Sequence, residues 1–371
     1  MRSALRLRQA SLVVGLVCLA LICAASIFNL WFIDSLHNTS FHRSQMVWLV
    51  IGLVAGGLTA TIDMDFVRRM SGPLYTSLCV LLVAVLIFGR EINHSRRWIE
   101  LGPMNMQPSE FMKLGVVLVL ATWFDTKRST TEWPLRRLFL PLLIVGTPVM
   151  LINLEPDLGT SLCVSLIGGS IILYEGVRKE TLLAGLLVLL LGVPMAWRMG
   201  AVRDYQKGRV QAWMALDDNA VNRKRAGRAS QSEQALWAVG SGRWAGREMQ
   251  GARRSILRHL PFLYTDFALA SWAELFGLVG TMALFALYLG LLWWAIYLAR
   301  QTKERFDALV AIGVAALIFW QFFINAGMVI GLLPVVGMTL PLMSYGGSSV
   351  LTVMIGCGLL VNIAMRRRAG S

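Results

Sequence analysis

Charge is scarce in this chain. Only 15% of its 371 residues are Asp, Glu, Lys or Arg, where soluble domains carry about 25%. Cysteine and histidine are scarcer still, with five and four copies. The cysteines (Cys18, Cys23, Cys79, Cys163 and Cys357) all lie inside apolar runs, which excludes a disulfide scaffold. His37, His42, His94 and His259 are scattered, which argues against a histidine-rich metal centre. There is no GxxxxGKS or GxxxxGKT loop, no HExxH and no CxxC pair. The glycine-rich, basic stretch from Ser241 to Arg247 follows no predicted strand, so it does not imply a nucleotide fold.

Apolar sequence is what the chain has in excess, at 56% of all residues. Long uncharged runs recur from Ser11 to Met365. They hold more apolar surface than one soluble core can hide, and they exclude a disordered chain. The expected fold is an all-α polytopic membrane protein. Ten spans are predicted, at about 11–32, 44–62, 73–89, 110–124, 138–153, 159–176, 181–199, 266–298, 308–330 and 349–365. The first competes with a signal peptide, because Arg2, Arg6 and Arg8 precede it and Ala24-Ala25 offers a small-residue site. Its apolar run is long for such a segment, so it reads as an uncleaved helix. The chain then forms one integral membrane domain over 1–371, with a large extracytoplasmic loop, 198–265, between helices seven and eight.

Basic residues set the orientation. With the N-terminus in the cytoplasm, 17 of the 35 Lys and Arg fall in cytoplasmic segments. The outer segments 33–43, 154–158 and 331–348 hold only Arg43. Both termini are then cytoplasmic. Trp31, Trp48, Trp293 and Trp294 lie near span ends and suit interfacial belts. Two outer segments break the pattern. Segment 90–109 holds Arg90, Arg96 and Arg97, and the large loop holds 13 basic residues against five acidic ones. Such a field suits an anionic ligand such as a phosphorylated lipid, or it is a solvated loop; nucleic acid does not fit on that side of a membrane.

Polar residues at membrane depth are costly, and four groups stand out. In Gln107-Pro108-Ser109-Glu110-Phe111-Met112-Lys113, Pro108 suits a first helical turn that Gln107 or nearby backbone caps. Glu110 and Lys113 are three apart and can pair, or Lys113 faces a ligand phosphate while Glu110 orients it. In Glu155-Pro156-Asp157-Leu158-Gly159-Thr160, two carboxylates flank a proline: turn chemistry with a cap by Asp157, or a cation site. Asp266 opens the eighth predicted span, with Thr265 as a cap, and Glu274 lies eight residues on. That Asp is either a helix-terminal charge or an extracytoplasmic general base. Last, Asn325-Ala326-Gly327 and the run from Gly331 to Ser349 are rich in Gly and Pro yet mostly apolar. They read as re-entrant backbone, either a packing corner or a holder of phosphate or sugar through serines and N–H groups.

Taken in order, these landmarks resemble the SEDS family of membrane glycosyltransferases, which includes RodA and FtsW. The matching pieces are Arg97-Trp98-Ile99, Gln107-Pro108-Ser109-Glu110-Phe111 with Lys113-Leu114, Glu155 to Thr160, Tyr205-Gln206 with Arg209, Gly240-Ser241-Gly242 and Thr265-Asp266-Phe267. Gly331-Leu332-Leu333-Pro334, running on to Pro341 and Ser344-Tyr345-Gly346-Gly347-Ser348-Ser349, completes them. The short tails look more like RodA than FtsW. The resemblance implies a peptidoglycan glycosyltransferase that polymerises lipid II on the outer face of the bacterial cytoplasmic (inner) membrane. It implies that Asp266 is the general base and that undecaprenyl pyrophosphate leaves. Arg97, Lys113, Arg209, Ser344 and Ser348 would bind substrate or pyrophosphate. Glu110, Glu155, Asp157 and Glu274 would support the site, with a divalent cation such as Mg or Mn as a possible cofactor. Implied partners are a class B penicillin-binding protein and other cell-wall elongation proteins. A lipid-linked precursor flippase and a noncatalytic scaffold that activates a penicillin-binding protein are the competing readings. Two carboxylates common in the family are replaced here by Phe262 and Leu275.

Overall fold

The computed structural model describes residues 2–92, 95–101, 104–127, 132–199, 204–214, 231–247 and 260–369. Of the predicted large loop, 200–203, 215–230 and 248–259 therefore lie outside the described residues, as do His94 and His259.

Twelve helices and three short strands are present among the described residues. In chain order they are α1 (Arg2–His37), α2 (Phe41–Thr61), α3 (Met64–Phe88), β1 (Arg90–Ile92), β2 (Ser95–Leu101), β3 (Met104–Met106), α4 (Pro108–Thr126) and α5 (Leu135–Leu154). Then follow α6 (Leu158–Tyr174), α7 (Lys179–Arg198), α8 (Asp204–Met214), α9 (Gln231–Ser241), α10 (Ala268–Gln301), α11 (Arg305–Val329) and α12 (Gly347–Ala369). Every predicted span has a helix at its place. Among the described residues seven stretches are long and apolar enough to cross a membrane: Ala10–His37, Phe41–Thr61, Met64–Phe88, Leu135–Leu154, Ala268–Gln301, Arg305–Val329 and Gly347–Arg366. The chain is thus a multi-pass helical membrane protein. Helix α6 is apolar but has only 17 residues, and α4 carries the buried charges Glu110, Lys113 and Asp125.

The strands form an antiparallel sheet in the order β1-β2-β3 between α3 and α4. Helices α11 and α12 are the most enclosed of the long apolar stretches, while α2, α3 and α5 present much of their surface outward. Where α2 meets α12 the backbones nearly touch. A Cβ on Gly358 would lie 2.3 Å from the carbonyl oxygen of Gly56, so small residues set that contact, as they do between membrane helices generally. Arginines tie the helix ends remote from Asp157: Arg68 pairs with Asp125 at 2.9 Å, Arg305 with Glu175 and Arg366 with Asp63.

Helix α10 is broken at Gly277, whose φ is 62° and ψ is −160°. The break frees backbone groups that need partners in an apolar setting. The stretch after α9 supplies them. Leu278 N–H donates to the Arg243 carbonyl (2.8 Å), Val279 N–H to that of Trp244 (3.1 Å), and Arg247 N–H to that of Glu274 (2.9 Å). The glycine-rich run is what permits this approach: a Cβ on Gly246, at φ 87°, would fall 1.9 Å from the Leu275 carbonyl oxygen. Gly246→Ala is expected to destabilise the fold by about 1–3 kcal/mol through overpacking against backbone. Gly185→Ala, where an added Cβ meets nothing within 4 Å, is expected to be neutral or mildly stabilising. Thermal melts of both variants in detergent check this, and equal melting temperatures would contradict it.

Candidate active site around Asp266

A tight turn delivers Asp266 to the start of α10. The Phe262 carbonyl accepts from the N–H groups of Thr265 (3.2 Å), Asp266 (3.0 Å) and Phe267 (3.3 Å). The helix begins two residues later than predicted, with Phe267 at the N-cap and no side-chain cap bond. Thr265 does not cap it, because its hydroxyl donates to the Phe262 carbonyl instead (3.3 Å). Asn325 of α11 fixes the next point, donating from Nδ2 to the carbonyls of Asp266 (2.8 Å) and Met338 (2.6 Å). The Gly/Pro-rich loop thereby becomes a wall of the site. An added Cβ at Gly337 would stand 3.5 Å from Asp266 Oδ2.

Removal from water pushes the Asp266 carboxyl up to about 6. The Thr265 hydroxyl and the charges of Arg209 and Arg97 pull the other way, while the negative Asp157 adds to the rise. Asp266, Asp157, Arg97 and Arg209 therefore share one electrostatic neighbourhood, although they come from the turn before α10, the start of α6, β2 and α8.

Asp157 is the most heavily bonded of them. Its Oδ1 accepts from the Thr160 N–H (3.1 Å), which caps α6. Its Oδ2 accepts from the Thr160 hydroxyl (2.9 Å) and Gln107 Nε2 (3.0 Å), and lies 3.7 Å from Arg97 Nη1. Arg97 also donates from Nε to the Glu155 carbonyl (3.2 Å) and from Nη2 to that of Pro156. Gln107 occupies the N-cap of α4 without bonding there through its side chain. Its N–H donates to Ser348 Oγ (3.0 Å).

Glu155 is unusual. The residue is 1% exposed, and among the described residues neither carboxylate oxygen has a hydrogen-bond partner. Arg97 spends its bonds on the neighbouring carbonyls and Asp157. Burial pushes the Glu155 carboxyl up to about 8, with the Asp157 charge adding to the rise and Arg97 opposing it. At neutral pH Glu155 holds its proton.

The remaining predicted site residues are placed as follows. Lys113 is fully enclosed and pairs with Glu110 at 2.7 Å, which is the intramolecular pairing that their spacing allows. Ser344 is buried and accepts from the Leu340 N–H (2.9 Å). Glu274 does not join Asp266; it is buried beside the break in α10, with Arg247 Nη1 at 3.6 Å. Among the described residues no group of three or more His, Cys, Asp or Glu is placed to hold a metal ion. Glu155 and Asp157 do not complete such a set by themselves, so no step is assigned to a divalent cation.

Several residues that brace the site escaped the sequence reading. Ser26 donates to the Met343 carbonyl (3.0 Å), Gln45 to those of Leu342 and Ser344 (both 3.2 Å), and Tyr288 to that of Pro341 (2.6 Å). Asn29 holds the Ala268 carbonyl (2.9 Å). Their signal was available: Ser26 and Asn29 are polar residues three apart on one face of an apolar helix.

The neutral Glu155 carries a pH consequence. Its carboxyl is raised from 4.5 to about 8, so the folded state holds the proton that the unfolded chain releases. Stability from this group is complete below about pH 4.5 and is lost as pH rises toward about 8. Melting temperatures of the wild type and Glu155→Gln across that range test this. The wild type is expected to lose stability relative to the variant as pH rises, and parallel curves would contradict it.

The FtsW/RodA/SpoVE family model, described as "Cell cycle protein", matches residues 6–369. The chain is 34% identical over 339 residues to a probable peptidoglycan glycosyltransferase FtsW of Hydrogenovibrio crunogenus, covering 89% of this chain and 83% of that one. It is 33% identical over 320 residues to the peptidoglycan glycosyltransferase MrdB of Escherichia coli K12, covering 86% and 84%. Among solved structures, a chain from a peptidoglycan synthase complex superposes with a TM-score of 0.81 at 30% identity, covering 96% of this chain and 98% of that one. The rod shape determining protein RodA of Thermus thermophilus superposes with a TM-score of 0.69 at 29% identity, covering 95% and 96%. The chain belongs to the FtsW/RodA/SpoVE family, the SEDS membrane proteins of peptidoglycan synthesis.

Proposed function

We propose that this protein is a glycosyltransferase that polymerises lipid II into glycan strands at the outer face of a bacterial cytoplasmic membrane. In this reading all ten long helices cross the bilayer, both termini are cytoplasmic, and 198–265 forms a large outer loop within a single domain over 1–371. The observation that carries the reading is the desolvated Asp266 carboxyl set among Arg97, Arg209 and Asp157. A carboxylate with its pKa raised toward neutrality is a better proton acceptor than one left in water, and it remains ionised at working pH. Asp266 takes the proton of the acceptor GlcNAc 4-hydroxyl. The oxygen attacks the anomeric carbon of the donor sugar, the bond to the lipid pyrophosphate breaks, and undecaprenyl pyrophosphate leaves. Arg97 and Arg209 offset the charge that grows on the leaving group. Lys113, enclosed in its pair with Glu110, backs that phosphate side from within the fold together with Ser344 and Ser348. Glu155 and Asp157 support Arg97, and Glu274 supports the broken helix rather than the reacting groups.

Family membership and the likeness to a chain of a peptidoglycan synthase complex support association with a class B penicillin-binding protein, which cross-links the strands, and with other elongation proteins. Purified protein supplied with lipid II is expected to yield glycan polymer. Asp266→Ala and Asp266→Asn are expected to lose about 10²–10⁴ of that rate with melting temperatures unchanged. Polymer formation by Asp266→Ala at the wild-type rate would remove this residue from the chemistry.

A further inference from the structure

Basic residues at the end of the bundle remote from Asp266 are used unevenly. Arg68, Arg305 and Arg366 are spent on Asp125, Glu175 and Asp63. Arg136, Arg137, Arg178 and Lys179 are exposed instead, and among the described residues none of the four forms an ion pair. We propose that the corner they form is a binding site for the headgroup of an anionic phospholipid.

Two segments far apart in sequence bring these cations together. Trp133 and Val177 form an isolated parallel β-bridge. The Trp133 N–H donates to the Gly176 carbonyl (3.0 Å), and the Arg178 N–H donates to the Trp133 carbonyl (3.2 Å). Arg136 and Arg137 follow in the first turn of α5, one turn beyond Trp133, and Lys179 opens α7. Both segments are anchored without a ligand. Trp133 is 4% exposed, and its ring lies against Trp123 (centroids 5.2 Å apart) and Phe124 (5.4 Å) at the end of α4. The pair of Glu175 with Arg305 fastens the other segment to α11.

Charge selects phosphate. Four neighbouring cations repel one another, and the first turn of α5 has no acidic residue to offset its two arginines. The helix dipole also disfavours cations in that turn. Glu132 and Glu180, beside the bridge in sequence, balance only half of the positive charge, and residues 128–131 are Arg, Ser, Thr and Thr, which add no acid. Phosphate oxygens supply the missing charge, and guanidinium groups bind them through paired N–H donors.

Depth selects a lipid over a soluble anion or an acidic protein. Helix α5 crosses the membrane from this corner, so its first turn lies at headgroup level. Beyond the cations, Phe139 and Leu143 of α5 and Leu183 and Leu187 of α7 are exposed apolar side chains that acyl tails can cover. Tyr174, exposed at the end of α6 just before the bridge, suits the same interfacial level. Basic clusters at the ends of membrane helices attract anionic headgroups in this way. The site is independent of Asp266 and of the polymerase reading.

The test is native mass spectrometry of the full-length protein in detergent, titrated with cardiolipin, with phosphatidylcholine, or with inorganic pyrophosphate as competitor. Cardiolipin is expected to bind saturably and at least about tenfold more tightly than phosphatidylcholine, equally in the wild type and in Asp266→Ala. The double variants Arg136→Gln/Arg137→Gln and Arg178→Gln/Lys179→Gln change exposed positions. Each is expected to weaken cardiolipin binding at least about tenfold with unchanged melts. Arg69→Gln/Arg300→Gln removes two exposed cations from α3 and α10 at the same end of the bundle and is expected to leave binding unchanged. Equal affinity for phosphatidylcholine, wild-type affinity in either corner variant, or an equal loss in the Arg69/Arg300 variant would overturn the proposal. Displacement of cardiolipin by pyrophosphate at equal phosphate concentration would overturn it too, since the tails would then contribute nothing.

Discussion

One buried carboxylate ties together the end of the bundle that carries the site. Asp157 starts α6, receives Gln107 from the start of α4 and lies against Arg97 of the sheet. Through Gln107 it reaches Ser348 in the first turn of α12. A charge at 2% exposure is tolerable only when its lone pairs are taken, and three hydrogen bonds and the Arg97 cation at 3.7 Å converge on this one. The same arrangement governs its neighbours. Burial raises the Glu155 carboxyl and the Asp157 charge adds to that rise, while Asp266, already desolvated, feels the same negative charge.

The wall facing Asp266 shows how irregular backbone is kept at membrane depth. Residues 331–346 contain no helix, so their carbonyls need partners from elsewhere. Side chains supply them: Ser26 and Gln45 from α1 and α2, Tyr288 from α10 and Asn325 from α11. Each contributing helix is thereby registered against the loop, and the loop against Asp266. The strap over Gly277 does the same for the broken helix, using backbone bonds in place of side chains.

Much of this was legible from residue order because a membrane simplifies the problem. A predominantly apolar run of about twenty residues has few alternatives to a helix, and each of the ten predicted spans has a helix at its place. Local spacing also sufficed for the cap of α6 by Asp157 and for the Glu110–Lys113 pair, both three residues apart. Contacts between distant segments were not legible. Strands of three and seven residues around Arg97 carry too little pattern to stand out from a loop. Glu274 lies on the helix that follows Asp266, yet the break at Gly277 hands it to Arg247. The Gly242–Arg247 run could be recognised as unusual, but what it fits against is decided by a kink that periodicity alone does not announce.

The chemistry hinges on a single carboxyl that is harder to ionise than an ordinary aspartate. Its most direct test is a pH–rate profile of lipid II polymerisation by the purified protein. With Asp266 as the base, kcat/KM rises through an apparent pKa of about 6 as that carboxyl loses its proton. A rate that stays flat from about pH 5 to pH 7 would contradict an acid of that strength as the group that accepts the proton.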